Sequence, residues 1–183
     1  MIQDIFPHVY HNAFQKCEAQ PQDMLLAYRG NAVLSAPEEF RLPRCGDLPD
    51  MPVRYAFSID DTRYFLAENA PEEQTAWRLL PSVEYRYALP RETAFACAVG
   101  ETLHRWYCSN RFCGACGAEM ADSATERALC CPKCGAVVYP RINPAVIVAV
   151  TDGEKLLLTK YAGRAFRRFA LVAGFCEIGE RVE

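Results

Sequence analysis

Two short cysteine knuckles constrain this chain more than any other feature. Cys113-Gly114-Ala115-Cys116 is followed by Gly117, and Cys131-Pro132-Lys133-Cys134 is followed by Gly135. Two residues between cysteines let one tight turn aim two thiolates at a single cation. The glycine after each pair can take the positive φ that brings backbone close to sulfur. Two such turns place four sulfurs at the corners of a tetrahedron, about 2.3 Å from a zinc ion. Fourteen residues separate the pairs, one short of the spacing of about 15–20 typical of zinc ribbons. Cys113, Cys116, Cys131 and Cys134 are therefore the expected ligands of one zinc ion, with iron in the same geometry as the chemical competitor. Four thiolates leave no open position for water, so the metal is read as structural. In small zinc modules such binding adds about 10–16 kcal/mol to folding.

The remaining cysteines read differently. The chain has 10 cysteines in all. Its first residues, MIQDIFPHVYHNAF, have neither a basic start nor a continuous apolar run, so no secretory signal is expected. A reducing, cytoplasmic compartment follows as the expectation, and there clustered cysteines mean metal rather than disulfides. Cys130 would break the matched spacing and is read as a bystander. Cys17, Cys45, Cys97, Cys108 and Cys176 are expected to be small buried hydrophobes.

Composition narrows the function classes. With 183 residues, 51% of them hydrophobic, the chain can bury a core without staples. A net charge of −3 argues against a globally basic nucleic-acid binder. No apolar run approaches the roughly 18 residues of a membrane-spanning helix, so no membrane partner is expected.

Short apolar runs punctuated by proline suggest a β-rich region up to about residue 90. Met24–Tyr28, a turn at Arg29-Gly30-Asn31 and Ala32–Leu34 read as strand, turn, strand. Val53–Ile59, Asp60-Asp61 and Thr62–Leu66 read as a second hairpin. Phe95, Val99, Thr102 and Trp106 recur at helical spacing, so residues 91–107 are expected to form an amphipathic helix leading into the first knuckle. Trp77 and Trp106 are expected in the core. His104 is expected to be a packing or surface residue, and His8 and His11 show no partner. Beyond the second knuckle, Pro144–Val150 reads as a strand buried on both faces. It turns at Thr151-Asp152-Gly153-Glu154 and returns as Lys155–Thr159. Arg164, Arg167 and Arg168 read as a solvated loop or, alternatively, as an attraction for phosphate.

The last residues are Gly174-Phe175-Cys176-Glu177-Ile178-Gly179-Glu180-Arg181-Val182-Glu183. Gly174, five residues and Glu180 match the opening of the Nudix box. Following FCGACG, CPKCG and YPRINPAVIVAV, the segment from about Phe112 to Glu183 resembles the NAD(H) diphosphatase branch of the Nudix hydrolases. The resemblance implies an α+β architecture. A β-rich, degenerate Nudix-like domain would span residues 1–90, a linking helix 91–107 and the zinc ribbon 108–139. The first strands of a Nudix domain, a mixed α/β/α sandwich, would occupy 140–183.

It also implies a chemistry: hydrolysis of the pyrophosphate of NAD(H) to NMN(H) and AMP, extending to removal of NAD caps from RNA. Mg²⁺ or Mn²⁺ would be the catalytic cofactor and a homodimer the working state. By the resemblance, Phe175 stacks on nicotinamide, Tyr139 and Ile147 line the base pocket, the Ala173 carbonyl joins the Mg²⁺ or Mn²⁺ shell, and Glu180 orients the box. Glu183 stands five positions before the family's Arg-Glu pair, so the main metal-binding glutamates are expected to be missing from this chain. So is the Ser-Gln-Pro-Trp-Pro-Phe-Pro run that marks NAD(H) preference. The chain by itself is then expected to have little or no activity. Two other classes fit the ribbon: a non-catalytic module that binds nucleic acid or protein, and a dimerisation scaffold.

Overall fold

The computed structural model describes residues 2–36, 38–70, 76–163 and 167–181. The chain forms two compact units, Met1–Pro140 and Arg141–Glu183. Strands dominate and helices are few, so the class is mixed α/β.

The first unit runs through β1 (Tyr10–His11), β2 (Met24–Leu26), β3 (Tyr28–Arg29), β4 (Ala32–Ser35), β5 (Val53–Ile59), β6 (Thr62–Ala67) and β7 (Arg78–Pro81). A short α1 (Ser82–Tyr85) and a long α2 (Arg91–Ser109) follow, and then the ribbon strands β8 (Ala121–Asp122), β9 (Leu129–Cys130) and β10 (Val137–Val138). One sheet has the order β1-β5-β6-β2, and a second has the order β3-β4-β7.

The β5–β6 hairpin forms as its pattern predicts. Ile59 pairs with Thr62 around Asp60-Asp61, and Asp60 takes a positive φ of 50°, which aspartate tolerates better than most residues. The expected strand Met24–Tyr28 is instead divided. Met24, Leu25 and Leu26 pair in parallel with Tyr64, Phe65 and Leu66, whereas Tyr28 and Arg29 form a hairpin with Val33 and Ala32. The chain passes from one sheet to the other at Ala27.

Alternation explains why these strands read as continuous apolar runs. Leu26, Tyr28, Tyr64 and Leu66 face a core that also takes Cys97 and Leu103 of α2. Leu25, Ala27, Phe65 and Ala67 face a second core around Cys45 and Trp77. Both faces are covered, so neither parity is polar. One irregularity interrupts the ladder. Tyr55 opposes Phe65 and Phe57 opposes Tyr64, leaving Ala56 as a bulge. Ala56 and Phe57 then share the first core while Tyr55 belongs to the second.

Helix α2 covers the predicted stretch: Leu103 and Trp106 of the expected face are buried and Phe95 and Val99 pack half-buried against the core, while smaller residues widen that face. Ala94, Ala96, Cys97, Gly100, Leu103, His104 and Trp106 are buried, whereas Thr102 is exposed and back-bonds to the Ala98 carbonyl at 2.9 Å. Small residues set the contact. A β-carbon on Gly100 would lie 2.5 Å from the Tyr28 hydroxyl and 2.7 Å from Leu26 Cδ1. The side chain of Asn110 closes the helix by donating to the Trp106 carbonyl at 2.7 Å. No helix among the described residues is long and apolar enough to cross a membrane.

The second unit holds β11 (Ala145–Val148), β12 (Thr151–Asp152), β13 (Lys155–Leu156) and β14 (Val172–Phe175). The turn at Gly153 forms, with φ of 56° and Asp152 opposite Lys155. Strand β11 does not return through it. It pairs with β14, Ala145 opposite Phe175 and Ile147 opposite Ala173. Nor is it buried on both faces: Ile147 is 69% and Val148 48% exposed. The described residues of this unit form only two-stranded pairs with no helix, so no second layer covers the strand. Arg167 and Arg168 are exposed, and Arg164 lies outside the described residues.

Candidate metal centre

The two knuckles fold alike because they carry the same local chemistry. In the first, the Gly117 amide donates to the Cys113 carbonyl at 2.9 Å and the Cys113 amide to the Ala118 carbonyl at 2.8 Å. In the second, Gly135 donates to Cys131 at 3.0 Å and Cys131 to Ala136 at 2.8 Å. Gly117 and Gly135 have φ of 71° and 75°, with open space where a β-carbon would sit. The left-handed backbone, rather than crowding, is therefore what calls for glycine there.

The sulfurs converge. Cys113 Sγ lies 3.6 Å from Cys134 Sγ, and Cys116 Sγ lies 3.5 Å from Cys131 Sγ. All four lie within 4.8 Å of one another, the only such group of ligating side chains among the described residues. Sulfurs 2.3 Å from a common centre would be separated by about 3.8 Å. The donor set and its spacing thus fit a structural zinc, with side-chain adjustments of up to about an ångström. Backbone N–H groups of Ala115 and Cys116 point at Cys113 Sγ and hold that thiol below its ordinary range. Those of Cys134 and Lys133 do the same for Cys131. The other two thiols, Cys116 and Cys134, are pushed up by the neighbouring sulfurs despite the backbone N–H groups of Ala118 and Ala136, so each knuckle pairs one thiol poised as thiolate, the form that binds metal, with one that is not. Cys130 lies on β9 outside the cluster, as its spacing predicts.

Two arginines moor the ribbon to the N-terminal sheet. Arg54 of β5 donates to Asp122 of β8 at 2.9 Å and to Glu68 at 2.8 Å, and its guanidinium lies 4.1 Å from the Tyr107 ring centroid. Arg127 reaches the other way, to the Asn12 side chain at 2.5 Å and to the carbonyl of the bulged Ala56. Sequence reasoning missed both, since each joins residues at least 68 positions apart. It also missed the partner of His8, which meets Asp60 at 2.7 Å.

The other predicted site residues fall into two groups. Ile147, Ala173 and Phe175 share the β11–β14 pair, and Phe175 is 73% exposed. Glu180 accepts the Glu177 amide at 2.8 Å within its own turn. Tyr139 lies in the first unit, where its hydroxyl donates to Glu126 at 3.0 Å. Of the scattered cysteines, Cys45 and Cys97 are buried as expected, Cys17 and Cys176 are half-buried, and Cys108 is exposed.

Comparison with known proteins agrees with this geometry. Residues 109–139 match the model of the NADH pyrophosphatase zinc ribbon domain. The protein named NAD-capped RNA hydrolase NudC from Chromobacterium violaceum is 36% identical over 127 residues, 68% of this chain and 47% of that relative. Its namesake from Stutzerimonas stutzeri is 46% identical over 78 residues, 43% of this chain and 28% of the relative. The one from Pectobacterium carotovorum is 43% identical over 84 residues, 46% and 32% of the two lengths. The chain thus spans about half or less of the length of these relatives. Over the part that they match, this chain belongs to the NADH pyrophosphatase and NudC family.

Proposed function

We propose that the protein carrying this sequence hydrolyses the pyrophosphate of NAD(H) to NMN(H) and AMP, and removes NAD caps from RNA. The observation that carries this reading is the alignment of most of the chain with a relative named as an NAD-capped RNA hydrolase. Phe175 would stack on nicotinamide, and its exposed ring is what a stacking platform requires. Ile147 and Tyr139 would line the base pocket. The Ala173 carbonyl, on the strand opposite Ile147, would contribute one oxygen to a Mg²⁺ or Mn²⁺ shell. Glu180 would fix the turn through its bond to the Glu177 amide rather than attack substrate. A bound divalent ion would neutralise the diphosphate and polarise a phosphoryl oxygen. Among the described residues the only side-chain cluster able to hold an ion is the cysteine one. The divalent ion would therefore draw on carboxylates outside them. A Nudix-like sandwich, a homodimer and a cytoplasmic location belong to the same reading.

The ribbon supports an architectural role within this enzyme better than a nucleic-acid module. Its Arg127 is engaged by Asn12 and Ala56 rather than offered to phosphate. The test is chromatographic. The product of the whole reading frame, loaded with zinc and Mg²⁺, should convert NADH to NMNH and AMP in equal amounts, and Phe175→Ala should raise KM. The 183-residue chain alone should release little. No NMNH from the whole-frame protein refutes the activity. Full turnover by the 183-residue chain refutes the placement of the divalent site.

A further inference from the structure

The ten residues Lys160-Tyr161-Ala162-Gly163-Arg164-Ala165-Phe166-Arg167-Arg168-Phe169 carry four cations, three aromatic rings and no carboxylate, in a chain whose net charge is −3. The second unit closes this run into a loop. Thr159 and Ala170 pair in antiparallel register, each amide donating to the other's carbonyl at 2.8 and 2.9 Å. The Thr159 hydroxyl adds a bond of 3.1 Å to the Ala170 carbonyl. Residues 164–166 lie outside the described residues. Lys160, Arg167 and Arg168 are exposed and make no ion pair among the described residues. Lys160 Nζ stands 5.3 Å from the centroid of the Phe169 ring, which is 66% exposed and so keeps a surface on which a base can stack.

Charge is segregated along the strands of this unit. The chain leaves the turn between Asp152 and Lys155, reaches Thr159, and returns from Ala170 through β14. The carboxylates of the unit, Asp152, Glu154, Glu177, Glu180 and Glu183, lie in that turn or beyond the far end of β14. The loop is therefore a cationic, aromatic-bearing end with no acidic partner in its own sequence. Such a surface suits a single-stranded polyanion, whose phosphates shed counterions onto lysine and arginine and whose bases stack on exposed rings. Its place also suits the reaction. Phe169 precedes Ala173, the proposed divalent-ion ligand, by four residues, about 13 Å of strand. That is a few nucleotides of single strand at about 3.4 Å or more each.

We propose that Lys160, Arg167, Arg168 and Phe169 form a docking site for the 5′ segment of single-stranded RNA, holding the first phosphates and bases downstream of the cap. The assignment rests on the decapping activity proposed above and adds the surface that separates capped RNA from free NAD(H). A free dinucleotide ends before the loop and gains nothing from it.

The test uses the product of the whole reading frame and a ten-nucleotide RNA with a 5′ NAD cap and a 3′ fluorophore. Fluorescence anisotropy without Mg²⁺, at salt concentrations from about 50 to 200 mM, gives affinity and its salt dependence. The triple variant Lys160→Ser/Arg167→Ser/Arg168→Ser should bind at least about tenfold more weakly. It should also flatten the slope of log K against log salt by about 2, from three lost phosphate contacts at about 0.7 each. Phe169→Leu should weaken binding at least about fivefold and leave that slope unchanged. KM and kcat for NADH with Mg²⁺ should stay within twofold of the parent in both variants. Should the triple variant fail to fold, Phe169→Leu and duplex RNA decide, since a base-paired 5′ end cannot stack and should bind at least about fivefold more weakly than the single strand. A parent that binds RNA but does not hydrolyse NADH refutes the activity and leaves the binding comparisons to decide the docking site. Unchanged RNA affinity and salt slope in the folded triple variant, equal losses for RNA and NADH, or equal binding of duplex and single strand overturn the proposal.

Discussion

Gly100 offers the sharpest quantitative test of how α2 is seated, and α2 carries the approach to the first knuckle. Replacing it with alanine places a β-carbon 2.5 Å from the Tyr28 hydroxyl, 2.7 Å from Leu26 Cδ1 and 3.2 Å from Tyr28 Cε2. Tyr28 and Leu26 are 1% and 0% exposed, so neither can swing into solvent. Overpacking of this kind costs about 1–3 kcal/mol. If Tyr28 is displaced, its bond to the Cys97 carbonyl is lost and a buried hydroxyl is stranded, a further 1–3 kcal/mol or so. Alanine returns about 1 kcal/mol through its better helix propensity. With Tyr28 displaced, the net expectation is destabilisation by about 1–5 kcal/mol. For a chain of this size each kcal/mol lowers Tm by about 2–4 °C. Urea and thermal unfolding of zinc-saturated protein, followed by far-ultraviolet circular dichroism, would measure it. Tyr28→Phe removes the nearest atom. The Tyr28→Phe/Gly100→Ala double variant should therefore lose about 1 kcal/mol less than the sum of the two single changes. If Gly100→Ala proves as stable as the parent or more so, the close seating of α2 on Tyr28 is wrong.

Other outcomes follow from the same structure. Elemental analysis of reduced protein should find one zinc per chain. Cys131→Ser should lose it, leaving residues 109–139 open to protease while the N-terminal sheet persists; metal retained at full stoichiometry would contradict the four-sulfur site. Arg127→Met should destabilise by about 1–3 kcal/mol, because the Ala56 carbonyl loses a charged donor, and an unchanged urea midpoint would count against the mooring. His8 is held above its ordinary 6.5 chiefly by its bond to Asp60, and Asp60 below its ordinary 3.8 chiefly by His8. The histidine part of this contact is complete below 6.5 and lost as pH rises through the raised value. The aspartate part is complete above 3.8 and lost as pH falls through the lowered one. The pair is thus strongest between those two values. In proton NMR the His8 midpoint should lie above 6.5 and return toward it in Asp60→Asn.

What the sequence made legible was local. Each knuckle has its ligands, its turn and its glycine within five residues, so spacing alone gave the cluster. The β5–β6 hairpin and the extent of α2 were equally readable. The small-residue part of the inward face of α2 was not, because Gly100, Ala96 and Cys97 are too small to announce themselves as core in a pattern weighted toward bulk. The run Met24–Tyr28 concealed its change of sheet, since burial on both faces removes the polar alternation that would have marked it. The partner of β11 was misassigned for a related reason. Asp152-Gly153 is a real turn, but it serves β12 and β13, and the choice of β14 depends on residues more than 20 positions away. The moorings by Arg54 and Arg127 were invisible because nothing near either residue encodes its partner.

The irregularity in β5 has a consequence for how this unit could be re-engineered. Tyr55 and Phe57 oppose consecutive residues of β6 and already point to opposite cores. Excising the one residue between them would leave a regular ladder with every large side chain on its present side. What would vanish is the anchor point for Arg127. A single codon therefore matters less to the hairpin than to one of the two arginine moorings that hold the cysteine module to it.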